Sequence, residues 1–241
     1  MARIHITLQG KGGVGKSVVA TVVAQYLASK GTRPLCVDID PVNATFHGYQ
    51  ALDVQRLQIM EDDEINSRKF DALIELLASL SSAAVIDSGA SSFVPLSHYL
   101  ISNQVPSLLA EMGHELVVHT VITGGQALLD TVSGFAHLTS QFPKETIFVA
   151  WLNPYWGPIE HEGKGFEHMK AYIANRDRVS AIARIPQLKD ETYGRDLGDM
   201  LQARLTFDEA LALSSLTIMT RQRLKIIKGL LFNQLDHTAV I

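Results

Sequence analysis

The chain has 241 residues, 46% hydrophobic and 19% charged, with a formal net charge of −4; this suits one α/β domain spanning 1–241 and argues against a second full domain. The mild acidity argues against a surface given over to nucleic acid, and no apolar run approaches the roughly 20 residues of a membrane span. A single cysteine, Cys36, lies in the apolar run Leu35-Cys36-Val37, which excludes an intrachain disulfide and fits a reducing, cytoplasmic compartment.

The first strand-like run, 4–8, begins without a basic-then-apolar leader. It leads into Gly10-Lys11-Gly12-Gly13-Val14-Gly15-Lys16-Ser17, which fits the phosphate-cradling pattern G-x-x-x-x-G-K-[ST], and residues 18–29 read as an amphipathic helix. Glycines at 10, 12, 13 and 15 predict positive φ angles that turn backbone N–H groups inward at a helix start, where partial positive charge favours phosphate. Lys16 is placed to reach the β- and γ-phosphates, and the Ser17 hydroxyl to ligate Mg²⁺.

Further strand-like runs follow at 35–39, 83–86, 116–122, 146–152 and 179–185, separated by helical patterns at 67–80, 125–140, 165–176 and 215–235. This alternation predicts a doubly wound, mostly parallel sheet with helices on both faces. Ligands of such sheets bind at the C-terminal edge of the strands. The distinctive residues fall there: Asp38 and Asp40 after the second strand, Asp87 after the third, Asn153 after the fifth and Pro186 after the sixth. A carboxylate closing a buried run such as Ala83-Ala84-Val85-Ile86-Asp87 needs a partner, and a hydrated Mg²⁺ beside phosphates is preferred over a simple cap on the following segment.

Other features point less sharply. The cluster Glu61-Asp62-Asp63-Glu64 reads as a solvated face or a helix-start bias, and His161, between Glu160 and Glu162, as a surface histidine rather than a metal ligand. The loop 153–164, with Tyr155 and Trp156, fits a lid or partner surface as well as a segment packed on its own domain. In the last helix Arg221, Lys225 and Lys228 share one face opposite Met219, Ile226, Leu230 and Leu231. That pattern admits weak contact with DNA or a peripheral position at the inner membrane, but a helix packed on the sheet with a solvated basic side is preferred.

Together Lys11 to Ser17, Val37-Asp38-Ile39-Asp40-Pro41 and Val85-Ile86-Asp87 resemble the deviant Walker A ATPases, the ParA/MinD family. More narrowly, Asp40-Pro41-Val42-Asn43-Ala44-Thr45-Phe46 and Asp87-Ser88-Gly89-Ala90-Ser91 are similar to a branch of that family serving plasmid conjugative transfer. The resemblance implies a SIMIBI-type, ParA-like P-loop NTPase fold, weak ATPase activity, and ATP and Mg²⁺ as ligands. It implies a homodimer in the ATP state and a protein partner in the conjugation machinery. Lys11 would then reach the phosphates of the partner subunit and offset charge in phosphoryl transfer, as an arginine finger does in trans. Asp40 would polarise the attacking water beside the metal, Ser17 would bind Mg²⁺ directly and Asp87 would hold it through water. Asn153, Ile185 and Pro186 would form the adenine site.

The chain departs from the family pattern twice. Val18 stands where a second hydroxyl residue is common, leaving only a backbone N–H for the α-phosphate, and the loop after Asp87 lacks the prolines of partitioning members, although Gly89 can still offer its N–H to the γ-phosphate. Two other functions share the loop: a partition or positioning ATPase holding DNA or membrane, and a ligase resembling dethiobiotin synthetase. An iron–sulfur relative is excluded, because Cys36 alone cannot supply two cluster ligands from each subunit.

Overall fold

The computed structural model describes residues 2–239 and 241. All six anticipated strands form, with every boundary within two residues of the predicted one. They are joined by a short one the sequence does not signal: β1 (Ala2–Thr7), β2 (Leu35–Asp38), β3 (Gln55–Arg56), β4 (Ala84–Asp87), β5 (His114–Thr123), β6 (Ile147–Asn153) and β7 (Val179–Arg184). They make one sheet in the order β7-β6-β5-β1-β4-β2-β3. Every pairing in it is parallel, so the links between successive strands cross over and the C-terminal strand ends share one edge.

Strand alternation sorts the core into two layers. Ile4, Ile6, Val37, Ile39, Ala84, Ile86, Leu116 and Val118 face one side of the sheet. That side is covered by α2 (Phe70–Ala78), α3 (Phe93–Ser102), α4 (Val105–Glu111), α5 (Leu128–Gln141) and α6 (Lys170–Asn175). Cys36, Val85, Val117, Val121, Val149 and Trp151 face the other, beneath α1 (Lys16–Ser29), α7 (Arg195–Gln202), α8 (Phe207–Ala212) and α9 (Ile218–Asp236). Cys36 is buried among them, and burial pushes its thiol up to about 12.

The expectation of an amphipathic α1 is corrected. Every residue from Val19 to Leu27 is buried, because α8 and α9 close over the face that would otherwise meet water. Tyr26 meets Phe232 edge-on at 5.6 Å, and the Gln25 side chain accepts a hydrogen bond from the Phe207 amide at 2.7 Å. The acidic cluster is solvated, as one reading had it, and is not a helix start: all four residues are exposed, and Met60–Glu61 pairs with Glu64–Ile65 across a tight turn with Asp62 and Asp63 at φ 48° and 63°, the conformation of a type I′ hairpin. A similar ribbon, Glu160–His161 with Lys164–Gly165, turns at Glu162 and Gly163 inside the aromatic loop.

Helix α9 packs on the sheet as preferred, through Leu224, Ile227, Leu231 and Leu235, and Lys225 is exposed; the remainder of the expected pattern is corrected. Lys228 is bound to Asp208 at 2.5 Å and Arg221 donates to the Leu213 carbonyl at 3.3 Å. Of the expected apolar face only Leu231 is buried, whereas Met219, Ile226 and Leu230 are exposed. Among the described residues no helix is long and apolar enough to cross a membrane.

A buried polar chain crosses the middle of the sheet under α1. The Trp151 indole donates to His119 Nδ1 at 2.9 Å, and His119 Nε2 lies 3.1 Å from His5 Nδ1. An N–H donated to His119 Nδ1 leaves the proton on its Nε2, which then donates to His5 Nδ1 and puts the His5 proton on Nε2. Burial keeps both rings neutral: His5 is lowered to about 3, and His119 is held well below the usual imidazole range.

Candidate functional site

The loop from β1 to α1 lies at the C-terminal edge of the sheet. Two of its glycines adopt the expected left-handed conformation, Gly13 at φ 73° and Gly15 at φ 104°. Gly10 and Gly12 do not, which corrects the reading of all four. Gly10 is small for another reason: a Cβ there would meet the Phe93 ring at 2.9 Å. Gly15 caps α1 without a side-chain hydrogen bond, so the first-turn amides remain available to an anion. Lys16 is buried, with its ammonium 3.0 Å from the Lys11 carbonyl. Burial lowers its pKa while the charges of Asp87 and Asp40 pull it back up.

A cavity of about 300 Å³ opens at this loop, lined by Gly12, Gly13, Gly15, Lys16, Ser17 and Val18 and closed by Asp40, Asn43, Thr45, Ser88 and Ala90 from the loops after β2 and β4. Asp87 lies behind it, fully buried at the end of β4. Its Oδ1 accepts the Thr7 hydroxyl at 2.7 Å, and its Oδ2 has no hydrogen-bond partner. Burial drives its pKa up to about 7, reinforced by the charge of Asp38 and opposed by the bonded Thr7 hydroxyl, by the Ser17 hydroxyl, which lies nearby without forming a hydrogen bond, and by the Lys16 ammonium. Thr7 is a site residue that the sequence reading missed; the alternation that turns Asp87 toward α1 turns Thr7 the same way.

Asp38 is also fully buried, and burial raises its pKa. It accepts the Asp40 amide at 2.9 Å and the His47 amide at 2.8 Å, fastening both ends of the loop that carries Asp40. The Asp40 carboxylate is turned into that loop, accepting the Val42 amide at 2.9 Å and the Asn43 amide at 3.3 Å. It rests on Gly89, where a Cβ would come within 2.5 Å of Oδ1. The two loops therefore meet at a contact only glycine permits.

Lys11 does not line the phosphate cavity. Its ammonium binds Asp130 at the start of α5 at 2.8 Å, and both groups are about half exposed. It borders a separate groove of about 430 Å³ with Phe93, Val94, Ser133 and His137. Asn153 is beside the loop, donating from Nδ2 to the Val14 carbonyl at 2.8 Å, and Trp156 donates its indole N–H to the Gly13 carbonyl at 3.1 Å. Ile185 and Pro186 lie farther along the edge, with the Ile185 amide on the Leu152 carbonyl at 2.9 Å. His161 is exposed, and no cluster of three or more histidine, cysteine or acidic side chains forms a metal site among the described residues.

A left-handed glycine loop between a parallel strand and a helix start, with buried carboxylates at two nearby strand ends, defines a nucleotide-binding α/β protein. Residues 6–237 match the CobQ/CobB/MinD/ParA nucleotide binding domain, and the chain belongs to that family. Two proteins of Escherichia coli, both described as Protein TraL, are 71% and 72% identical to it over 241 residues, the full length of each. Among solved structures the chain is similar to one in the MinC:MinD cell division protein complex of Aquifex aeolicus, with a TM-score of 0.52 and 13% identity over 95% of this chain and 96% of that one. That likeness bears on the fold alone.

Proposed function

We propose that this chain is a Mg²⁺- and ATP-dependent switch that dimerises around the nucleotide, hydrolyses it slowly to ADP and phosphate, and positions a protein partner in plasmid conjugative transfer. The observation that carries the reading is Asp87 Oδ2, a buried carboxylate oxygen without a partner behind a cavity lined by Lys16, Ser17 and the glycine loop. An unpaired charge in such a place is costly unless a cation meets it. Hard oxygen donors from Ser17 and Asp87 suit Mg²⁺, which when bound would offset phosphate charge.

The protein's own groups take the remaining roles. The loop amides and the start of α1 hold phosphate oxygens, and Val18 contributes its backbone N–H. Lys16 exchanges the Lys11 carbonyl for a phosphate. Asp40 leaves the Val42 and Asn43 amides to accept a proton from the attacking water. Lys11 parts from Asp130 to reach the second subunit; the ion pair it gives up is exposed and contributes less than about 1 kcal/mol. The conjugative role is supported by the segments 40–46 and 87–91 and by the full-length likeness to the TraL proteins. A partition-type grip on DNA through α9 has less support, because Arg221 and Lys228 are engaged within the chain.

Light scattering with a slowly hydrolysed ATP analogue tests the switch. Wild type is expected to double in mass, and Lys11→Ala and Lys16→Ala to remain monomeric. Normal dimerisation of Lys11→Ala would sink the reading. Co-purification from donor cells with Asp40→Ala, expected to trap the ATP-bound dimer, would identify the partner.

A further inference from the structure

A loop that turns its amide N–H groups inward turns its carbonyls outward, and each outward carbonyl needs a donor. Three side chains supply them here: Lys16 Nζ on Lys11 at 3.0 Å, Trp156 Nε1 on Gly13 at 3.1 Å and Asn153 Nδ2 on Val14 at 2.8 Å. Lys16 is the donor that a phosphate would draw away. The other two come from the end of β6 and are free to stay.

Their positions are built into the backbone. Asn153 Oδ1 accepts the Tyr155 amide at 3.2 Å, capping the short 3₁₀ turn Pro154–Trp156, and the Gly157 amide closes that turn on the Pro154 carbonyl at 3.0 Å. One side chain thus holds Val14 and shapes the turn that presents Trp156. The turn lies against two glycines after β5: a Cβ on Gly124 would fall 2.1 Å from the Gly157 carbonyl oxygen, and one on Gly125 2.5 Å from that of Trp156. Trp156 is nevertheless 57% exposed. Its turn and its indole N–H hold it, where burial of the ring does not.

We propose that Asn153 and Trp156 are positioning residues that brace the nucleotide loop in its phosphate-accepting form. A trans peptide plane fixes the N–H opposite the carbonyl that precedes it. Holding the Gly13 carbonyl therefore aims the Val14 amide, and holding the Val14 carbonyl aims the Gly15 amide. Gly15 leaves room for this brace, since a Cβ there would lie 2.8 Å from Asn153 Nδ2. Asn153 thereby acts on the phosphate end of the site. The inference rests on the nucleotide-binding reading only for what those amides face.

Amide NMR of the nucleotide-free protein tests the brace directly. Trp156→Phe keeps the ring and removes the N–H, and should displace the Val14 amide signal. Asn153→Asp keeps the Oδ1 cap on Tyr155 and loses the Nδ2 donor, and should displace the Gly15 signal. Tyr155→Phe should move neither. Affinity for a slowly hydrolysed ATP analogue should fall about three- to tenfold in Trp156→Phe, the loss expected for one hydrogen bond, with the melting temperature within about 2 °C of wild type. Val14 and Gly15 signals that stay in place in the first two variants would overturn the proposal. If the signals move but wild type binds no nucleotide, the brace stands and the nucleotide reading fails.

Discussion

Replacing Asp87 by Asn removes a buried charge while keeping an acceptor for the Thr7 hydroxyl. The carboxyl titrates near 3.8 when exposed and at about 7 in the fold. Wild type therefore has the full benefit of the neutral form below pH 4 and loses it as the pH rises toward 7. At about 1.4 kcal/mol per pH unit, burying the group costs about 4 kcal/mol at pH 8 and about 1.5 kcal/mol at pH 5. The amide has its own desolvation cost, but that cost is the same at both pH values and cancels in the comparison. Asp87→Asn should gain about 3 kcal/mol on wild type between pH 5 and pH 8, or roughly 6–12 °C in melting temperature for a chain of this size. Calorimetry of both proteins without nucleotide, across that range, reads it. A stability difference that is flat in pH would refute the reasoning, because it would mean that the carboxyl has another partner or more water than its burial implies. With Mg²⁺ and nucleotide added, wild type should be stabilised more at pH 8 than at pH 6, and Asp87→Asn should lose that difference.

Two further substitutions test the loops around the cavity. Gly89→Ala puts a methyl group within 2.5 Å of the Asp40 carboxylate; phosphate release should fall at least about tenfold while analogue affinity stays within about threefold, because the methyl moves Asp40 and leaves the glycine loop untouched. Asp38→Asn keeps one acceptor but sets an NH₂ against a backbone N–H, since both Asp38 oxygens accept amides. The cost should be about 1–3 kcal/mol in urea unfolding, and an unchanged midpoint would show that the two ends of the Asp40 loop hold without it.

The fold was legible where burial sets the pattern. The six apolar runs gave strands because both faces of a parallel sheet are covered, and the glycine loop was readable because its backbone chemistry requires those residues at that spacing. Gln55–Arg56 was invisible as an edge strand, being short, polar and exposed. Helices α3, α4, α7 and α8 were missed; the first two each have a proline in the first turn, Pro95 and Pro106, where no intrahelical N–H is needed but the residue still punctuates a sequence. The strand-end carboxylates were correctly placed at the edge, but neighbours in the sequence did not settle their tasks. Asp38 fastens its own loop through the Asp40 and His47 amides, whereas Asp40 rests on the distant Gly89 and Lys11 reaches Asp130 on α5. Nothing local to residues 153–156 told that an asparagine and a tryptophan would meet the Gly13 and Val14 carbonyls across about 140 positions of chain.

The imidazole chain through His5, His119 and Trp151 gives the protein a centre that acid does not reach. With His5 neutral down to about 3 and His119 lower than ordinary imidazole, the three strands it ties together keep one register and one set of tautomers through the whole range in which Asp87 changes charge. Proton uptake near neutrality is then a local event at the nucleotide edge, felt by the loops and not by the frame beneath them.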